Sequence, residues 1–407
     1  MDRTILHCDL NGFYASVEIL NNPSFKNVPM AVAGDPDNRH GIILAKNEIA
    51  KKFGVKTAET IWQAKKKCPD LVLAPPHMGE YKRYSLIVNG IYNEYTDLVE
   101  PFGIDESFLD ITNVMHLFGT GVQVADKIRK AVKIRTGLTI SVGVSFNKIF
   151  AKLGSDYKKP DATTLISREN YKSVVFPLPV TDLLYVGKSV SKSLSRLNIS
   201  TIGDLADSDK ELIMQTLGKM GAQLWDYSNG LDDSPVRPFE EESRAKSIGC
   251  GMTFKRDLVT PEDIKTGVIA LCEELSFRMR KEDVKCRTVA VSIRFADFKH
   301  ISRQKGLKYA TNFAIDMWRA AYELIESVED LRPIRTLTVT GANLNDDYND
   351  GPAQLSLFDM EDVKEEEETR DDKKKENLEQ ALFDIRNKFG RNSVISAAKL
   401  KNDIGVE

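Results

Sequence analysis

The sequence predicts a multidomain α+β protein, and three observations lead to this prediction. The chain has 407 residues, more than one compact hydrophobic core usually holds. Strand-like and helix-like segments alternate through residues 1–165 and again through residues 248–345, as is typical of α+β domains. Between these regions, residues 166–234 contain short helical pieces broken by glycines, which indicate a small helical domain with tight turns.

The first region has the element order of a ferredoxin-like fold. A strand is followed by a helix, two short strands, a second helix and a further strand, which is the split βαβ pattern. An insertion at residues 21–75 separates the first strand from the rest, and we expect it to form a small domain of its own. The predicted elements are a strand at 4–10, a helix at 80–97, two strands within 99–111, a helix at 120–136, a strand at 138–146 and a helix at 147–157.

The second half of the chain divides by composition. Residues 235–244 contain two prolines and an acidic run, which indicate a linker. Residues 245–345 regain the alternation of strands and helices, which predicts a second α+β domain. Residues 346–376 are acidic and polar, so we expect disorder there. In residues 377–407, apolar side chains recur at helical spacing, which predicts an amphipathic helix to which we assign no function.

Charge and cysteine usage narrow the class of protein. The formal net charge of −3 is uneven, because residues 346–372 carry −10 and residues 1–345 carry +4. A mildly basic body suits a polyanionic partner. The five cysteines are scattered without metal-ligand spacing, which indicates reduced thiols in a cytoplasm. No apolar run approaches the ~18 residues that span a bilayer.

Three acids stand next to apolar strand residues. Asp9 follows a buried strand, and Asp105 and Glu106 lie between apolar neighbours. Buried carboxylates need hydrogen bonds or a cation, and the split fold places the end of its first strand beside the central hairpin. The three acids are therefore candidates to hold two divalent cations for phosphoryl transfer. The alternative for Asp105 and Glu106 is ordinary turn chemistry without a metal.

Three motifs occur in order along the chain: residues 7–18 (HCDLNGFYASVE), residues 104–110 (IDESFLD), and residues 141–145 (SVGVS) with the following Asn147, Lys148, Ala151, Lys152 and Lys158-Lys159-Pro160. They resemble the motifs of the Y-family translesion DNA polymerases, nearest to the bacterial DNA polymerase IV branch. The resemblance covers residues 4 to about 345, nearly the whole folded chain. This likeness implies a right-hand polymerase that adds deoxynucleotides to a primer 3′-end with two Mg²⁺ ions.

The resemblance assigns roles at the site. It implies that Asp9, Asp105, Glu106 and the carbonyl of Leu10 hold the metals, with the three acids catalytic. Phe13 would pack on the incoming sugar, Tyr14 would exclude a 2′-hydroxyl, and Lys51 and Lys159 would bind the triphosphate. For Phe13 and Tyr14 the alternative is an aromatic pair at a helix start. Departures from the family pattern are Asn11 for an acid, Glu48 for a tyrosine and Lys51 for an arginine.

The resemblance also names the domains and the DNA contacts. It implies a palm at 1–20 and 76–165, fingers at 21–75, a thumb at 166–234 and a DNA-binding little finger at 245–345. Gly187 and Lys188 lie in a predicted helix-hairpin-helix, whose N–H groups point at a DNA phosphate; the alternative is a plain helical turn. In the little finger, six basic residues are candidates for backbone contact unless they line a solvated sheet face: Lys285, Arg287, Arg294, Lys299, Arg303 and Lys305.

A short apolar cluster interrupts the acidic segment. Gln354, Leu355, Leu357 and Phe358 have no core to join there, which favours partner docking, and they resemble the peptide that binds the bacterial sliding clamp. The predicted partners are primer-template DNA, deoxynucleoside triphosphates and the sliding clamp, with no membrane and a monomeric chain. The expected function is translesion synthesis with low fidelity and low processivity.

Two other functions remain open. A phosphotransferase with Asp9 as nucleophile would usually need a second acid two residues on, where Asn11 stands. A non-catalytic DNA- or clamp-binding relative would not need the intact acid trio.

Overall fold

A computed structural model describes residues 3–35, 41–239, 245–345, 370–400 and 402–406. The chain divides into two compact units, Met1–Glu242 and Ser243–Glu407. The strands are β1 (Ile5–Leu10), β2 (Met30–Ala33), β3 (Ile43–Lys46), β4 (Val72–Ala74), β5 (Val99–Pro101), β6 (Glu106–Asp110), β7 (Ile140–Ser145), β8 (Thr163–Ile166), β9 (Ser247–Leu258), β10 (Lys285–Phe295), β11 (His300–Thr311) and β12 (Ile334–Asn345). The helices are α1 (Phe13–Asn21), α2 (Glu48–Lys52), α3 (Ile61–Lys67), α4 (Met78–Asn93), α5 (Met115–Phe118), α6 (Gly121–Thr136), α7 (Lys148–Tyr157), α8 (Tyr171–Val175), α9 (Lys188–Ser195), α10 (Ile202–Ala206), α11 (Lys210–Leu217), α12 (Lys219–Ser228), α13 (Pro261–Lys281), α14 (Ala314–Glu326) and α15 (Arg370–Phe389).

The palm sheet has the strand order β5-β6-β1-β7-β8. Its first four strands reproduce the predicted ferredoxin-like order, with β1 antiparallel to both neighbours. β8 extends the sheet parallel to β7 after the helix α7. All six residues of β1 are buried, because the strand is central and covered on both faces. Leu6, Cys8 and Leu10 join the core with α4 and α6, so the alternate residues Ile5, His7 and Asp9 face the opposite side.

The fingers insertion forms a three-stranded sheet of order β3-β2-β4 with the helices α2 and α3. Its small core consists mainly of alanines and Ile43, Val55 and Ile61. The thumb helices α8 to α12 have their own core, which the palm helix α7 shares through Phe150 and Leu153. The palm, the fingers and the thumb therefore all belong to one compact unit.

The described part of the predicted linker packs on the palm. Residues 235–239 form no helix or strand, but they do not hang free of the palm. Val236 is buried with Ile5 and Phe108, and the backbone N–H of Arg237 donates to Glu100 at 2.9 Å. Proline has no N–H to donate, which suits a segment without helix or strand hydrogen bonds.

The second unit repeats the order βαββαβ but arranges its sheet as β11-β10-β12-β9. The helices α13 and α14 cover the face that carries Val289, Val291 and Ile293. The chain then returns: α15 is followed by residues 402–406, in which Ile404 and Val406 are buried in this core. The carbonyl of Ile404 accepts a 2.9 Å hydrogen bond from the N–H of Lys255 on the edge strand β9.

One prediction about the C-terminal region is revised, and the predicted amphipathic helix is present. Residues 370–376, predicted as disordered, form the first turns of α15, because a helix docked on a folded domain gains packing that its composition does not reveal. The amphipathic helix predicted within residues 377–407 is present and ends at Phe389. Beyond it the chain packs on the little finger, where Asp403 is bound by Arg256 at 2.6 Å next to the buried Ile404. Gln354, Leu355, Leu357 and Phe358 lie outside the described residues.

Two simpler expectations can be compared with the structure. All five cysteines are buried free thiols. In the described ranges, each helix is too short or too polar to cross a bilayer.

Candidate active site

Three carboxylates lie together at one end of the palm sheet. Asp9 on β1 stands opposite Glu106, the first residue of β6, in the antiparallel ladder. Asp105 occupies the preceding turn, and its carbonyl oxygen accepts a 3.0 Å hydrogen bond from the N–H of Leu10. The acids are distant in sequence and meet because the sheet order places β1 beside β6.

Two lysines contact these acids: Lys152 lies on α7, and Lys159 follows this helix. Lys159 Nζ donates to Asp9 Oδ2 at 2.7 Å, and Lys152 Nζ donates to Glu106 Oε1 at 3.0 Å. Asp156 lies between them and contacts both ammonium groups. Burial alone would lower the pKa of each lysine, but the surrounding carboxylates outweigh it and raise both. Both lysines therefore stay charged at the site.

Negative charge nevertheless remains in excess. Burial, then the charges of Asp9 and Glu106, raises the pKa of Asp105 from 3.8 to about 6. Burial also raises the pKa of Asp9, in spite of Lys159. Such uncompensated carboxylates fit divalent cations, which prefer oxygen ligands. Within the described ranges, no three His, Cys, Asp or Glu side chains are already arranged around one ion position.

His7 lies beside the carboxylate of Glu106. It lies two residues before Asp9 on the same face of β1 and is fully buried. Its Nδ1 is 2.8 Å from Ser155 Oγ on α7, and its Nε2 is 3.2 Å from Glu106 Oε2, close but outside good hydrogen-bond geometry. Burial lowers the pKa of His7. Burial alone would raise the pKa of Glu106, but His7 and Lys152 outweigh it and lower that pKa.

A glycine brings α7 close enough to place these groups. A Cβ on Gly143 of β7 would collide with the carbonyl oxygen of Ala151 and lie 2.5 Å from the backbone nitrogen of Ser155. Gly154 faces it, with a Cβ position only 3.0 Å from the Gly143 Cα. Helix and strand therefore touch backbone to backbone, and Lys152 and Ser155 reach the acids from that short distance.

A second glycine turns the chain toward the predicted sugar pocket. Gly12 has φ +53° at the start of α1, a left-handed conformation that glycine adopts without strain. Tyr14 follows and stacks on Tyr81 with ring centroids 4.1 Å apart and planes 9° apart. Burial, then the charge of Asp105, raises the pKa of Tyr14, so this phenol lies near the acids. Phe13 is only 3% exposed and lies in the palm core beneath Tyr14, so its direct contact with a sugar remains a prediction.

Asn11 has a structural role at the position of the expected acid. Its Nδ2 donates to Ser141 Oγ at 2.9 Å, and its Oδ1 accepts from the backbone N–H of Asp161 at 2.8 Å. Both polar atoms of the amide are therefore used. Asn11 ties the end of β1 to the segment that carries Lys159.

The fingers contribute a pair of lysines. Lys51 on α2 is more than half exposed and contacts Glu48 at 3.4 Å. Burial, then the charge of Lys51, lowers the pKa of Lys46, so the two ammonium groups lie near each other. Lys46 also has its carbonyl oxygen 3.5 Å from a Cβ position on Gly12. These two lysines form a cationic cluster beside the palm, suited to an anionic ligand.

The thumb hairpin differs from an ordinary helix-hairpin-helix. Gly187 begins α9 with φ −83° and open space around it, and Lys188 is the first helical residue. The preceding helix is only a 3₁₀ turn at Val180–Asp182. Tyr185 in the turn adopts φ +69° and is 53% exposed. The turn is present, and its DNA contact remains a prediction.

The basic residues of the little finger lie on both sides of its sheet. Arg294 pairs with His300 across from the helices, and its guanidinium lies 4.8 Å from the ring centroid of Phe298. Lys305, opposite the buried Val289, instead donates to Glu323 of α14 at 2.7 Å. The strand period therefore separates these residues between the two faces of the sheet, and their contact with the DNA backbone stays a prediction.

Sequence reasoning missed several residues near the acids. Lys152 had been noted only as part of a motif, yet Lys152, Asp156 and Lys159 recur at the spacing of one helix face. His7 precedes Asp9 by two residues, the spacing of one strand face. These two periodicities were signals that the sequence contained. The stack of Tyr14 on Tyr81 had no such signal, since it joins two helices distant in the chain.

Comparison with known proteins identifies the class. Residues 8–156 match the impB/mucB/samB family, and residues 245–357 match the C-terminal domain of that family. A solved Y-family DNA polymerase chimera has the same fold, with a TM-score of 0.75 over 84% of this chain and 99% of its own, at 23% identity. The chain belongs to the impB/mucB/samB family, the Y-family of DNA-directed DNA polymerases.

The relatives narrow this further. The chain is 43% identical to a DNA polymerase IV of Acetivibrio thermocellus, over 97% of this chain and 96% of that one. It is 38% identical to a DNA polymerase IV 2 of Bacillus subtilis, over 98% and 95%. The predicted resemblance, fold class and enzyme class are confirmed.

Proposed function

We propose that this chain performs translesion synthesis in the bacterial cytoplasm by two-metal nucleotidyl transfer at Asp9, Asp105 and Glu106. The observation that carries the proposal is the ladder pairing of Asp9 with Glu106 beside Asp105, in a setting where carboxylate charge remains uncompensated. The donor set of three carboxylates and the Leu10 carbonyl suits two Mg²⁺ ions. Family membership supports the reaction class.

The chain's own groups have separable tasks. Bound magnesium ions would supply stabilisation of charge on the attacking and leaving oxygens. Lys152 and Lys159 offset part of the charge of the acids. Lys159, Lys51 and Lys46 offer cationic groups to a triphosphate, where Lys51 acts as a point charge rather than a bidentate fork.

Selection against ribonucleotides is assigned to Tyr14. Its ring is held by the parallel stack on Tyr81, and the Tyr81 hydroxyl donates to the buried Glu18. A ring fixed in this way excludes one extra oxygen by steric clash.

Low fidelity and low processivity are part of the proposal. The fingers core is small and rich in alanine, so this domain offers little surface with which to enclose a nascent base pair. A monomer with weak grip on its substrate would depend on tethering for long products. The proposed tether is the sliding clamp.

Primer extension tests the chemistry. Glu106→Gln removes one carboxylate charge with little change of shape, while Glu94→Gln, an exposed acid paired with Arg135, is the control. We expect magnesium-dependent extension on undamaged and abasic templates by the wild type and the control, and none by Glu106→Gln. Equal extension by both variants would exclude the proposed site, and no extension by the wild type would favour a non-catalytic relative.

A second experiment tests the clamp peptide. Leu357→Ala with Phe358→Ala, outside the described residues, is expected to leave single-nucleotide insertion on a bare primer unchanged. Stimulation by loaded clamp is expected to disappear, because only the tether is lost. Undiminished stimulation would refute this assignment without affecting the assignment of the acids.

A further inference from the structure

The fingers carry an exposed tryptophan. Ile61 and Ala64 on α3 are buried in the fingers core. Trp62 lies on α3 outside this buried face and is 70% exposed. The chain's other two tryptophans are partly buried in the thumb and little finger. Large aromatic rings are usually buried or used in binding. Among the described residues of the fingers, Trp62 neither belongs to the core nor packs against it.

Positive charge surrounds the ring. Lys66, one turn further on α3, has its Nζ 5.5 Å from the Trp62 ring centroid, and Lys65 is exposed beside it. Residues 21–35 and 41–75 contain eight lysines and four acids. Two of those acids, Glu48 and Glu59, already pair with Lys51 and Lys67. The surface combines an open aromatic plane with cationic groups.

The surface is also connected to the active site by a short strand. The N–H of Ile61 donates to the carbonyl of Gly41, so α3 begins beside the start of β3. At the far end of β3, the carbonyl of Lys46 reaches the Gly12 position. Gly41 and Lys46 are five residues apart, which at about 3.3 Å each gives at most ~17 Å between these ends, the span of about five stacked bases at 3.4 Å.

We propose that Trp62, Lys65 and Lys66 bind the single-stranded template ahead of the nascent base pair. Any base can stack on an exposed indole, so such a site is tolerant of sequence, and the two lysines neutralise phosphates. This inference rests on the DNA polymerase assignment, but not on two-metal chemistry. The alternative ligand is an acidic protein segment, which would contact Lys65 and Lys66 but would not need to stack on Trp62.

Binding is measured without magnesium or nucleotide, so that a failure of catalysis cannot affect it. The probes are one primer-template duplex with a 5′ single-stranded overhang and the same duplex with blunt ends. Tryptophan fluorescence of the wild type is expected to be quenched more by the overhang substrate than by the blunt one. In Trp62→Phe this difference is expected to vanish, because the reporting indole is absent.

Affinity provides the second measurement. Trp62→Ala is expected to weaken overhang binding about 5- to 100-fold and blunt binding hardly at all, while Trp62→Phe keeps most of the affinity. Lys65→Ala with Lys66→Ala should reduce the slope of log K against log salt by about 1.4. Ile134→Ala, at a 72% exposed position on the palm, is the control and should change nothing.

Equal weakening of overhang and blunt binding by Trp62→Ala would overturn the proposal. Trp62 would then either contact the duplex or affect binding by destabilising the fold. Unchanged affinity with no overhang-specific quench would also overturn it and would leave an acidic protein as the partner to test.

Discussion

The palm and the little finger run through the same element order but bury different kinds of residue. Both follow βαββαβ, yet the first strand is central in the palm, between β6 and β7, and lies at the edge in the little finger. The palm strand β1 buries His7 and Asp9, whereas the buried positions of the little-finger strand β9 are apolar or cysteine. A central strand can present polar groups to a site enclosed on several sides, and an edge strand cannot.

The difference also explains what each first strand requires. In the palm, the buried acids need lysines and cations to offset their desolvation. In the little finger, the exposed edge needs covering, and residues 402–406 supply that cover through the hydrogen bond from Lys255 to Ile404. One strand is specialised for chemistry and the other for stability. Four predictions test this contrast.

The largest effect is expected at Asp105, whose charge is proposed to assist catalysis but destabilises the folded state. Asp105→Asn should lose about 10³-fold or more in extension rate, because charge that helps the transition state is removed. It should also gain about 1 kcal/mol of stability at neutral pH. The pKa of Asp105 is raised from 3.8 to about 6, so wild-type stability falls as pH rises through this window.

Chemical unfolding at several pH values measures this gain. The advantage of Asp105→Asn should be full above about pH 6 and vanish below about pH 3.8. Asp97→Asn, an exposed acid, should show neither effect. A variant less stable than the wild type at neutral pH would contradict the contrast.

The next effect concerns the helix that follows the palm strand. Tyr14→Ala should reduce discrimination against ribonucleotides about 100-fold, because steric exclusion needs the ring. Tyr81→Leu should reduce it about 10-fold, since the stack at 4.1 Å no longer holds the gate, and Tyr81→Phe should retain it. The measurement is the ratio of incorporation of matched ribo- and deoxynucleotides by the wild type and by each variant. Full selectivity in Tyr14→Ala would assign the gate elsewhere.

The little finger should respond in stability alone. Ile404→Ala removes a side chain that is 1% exposed and should lower the free energy of unfolding by about 2–4 kcal/mol. The 61% exposed Leu400, substituted by alanine, is the matched control and should change it by less than about 0.5 kcal/mol. If both variants unfold like the wild type, residues 402–406 are not part of this core in solution.

The smallest effect involves the fingers, an insertion without counterpart in the little finger. Lys51→Ala should raise the KM for an incoming deoxynucleotide about fivefold while kcat changes little, because a half-exposed ammonium contributes about 1 kcal/mol. Lys52→Ala, exposed on the same helix, is the control. A loss confined to kcat would indicate a role other than ground-state binding of the triphosphate.

Much of the fold followed from local pattern. The strand of residues 4–10 and the helix of residues 120–136 agree with the structure within a residue or so, because strand burial and helix caps are local signals. The three acids were likewise visible as polar residues among apolar ones. The order of the little-finger sheet was not predictable, since the same element order is compatible with either arrangement.

Other features depended on contacts between distant segments. The docking of residues 402–406 onto β9 joins parts of the chain some 150 residues apart, and no local pattern encodes it. The packing of residues 235–239 on the palm was hidden by a composition that is also typical of linkers. Asn11 illustrates a different limit, because only the structure shows that its amide holds Ser141 and Asp161.

The missing methyl group at Gly143 has a mechanical consequence. Because strand and helix touch through their backbones, no side chain lies between α7 and β7 that could adjust to a shift of the helix. The same helix carries Lys152, which contacts Glu106, and Phe150, which packs in the thumb core. We therefore expect a displacement of the thumb to move Lys152 relative to Asp9 and Glu106.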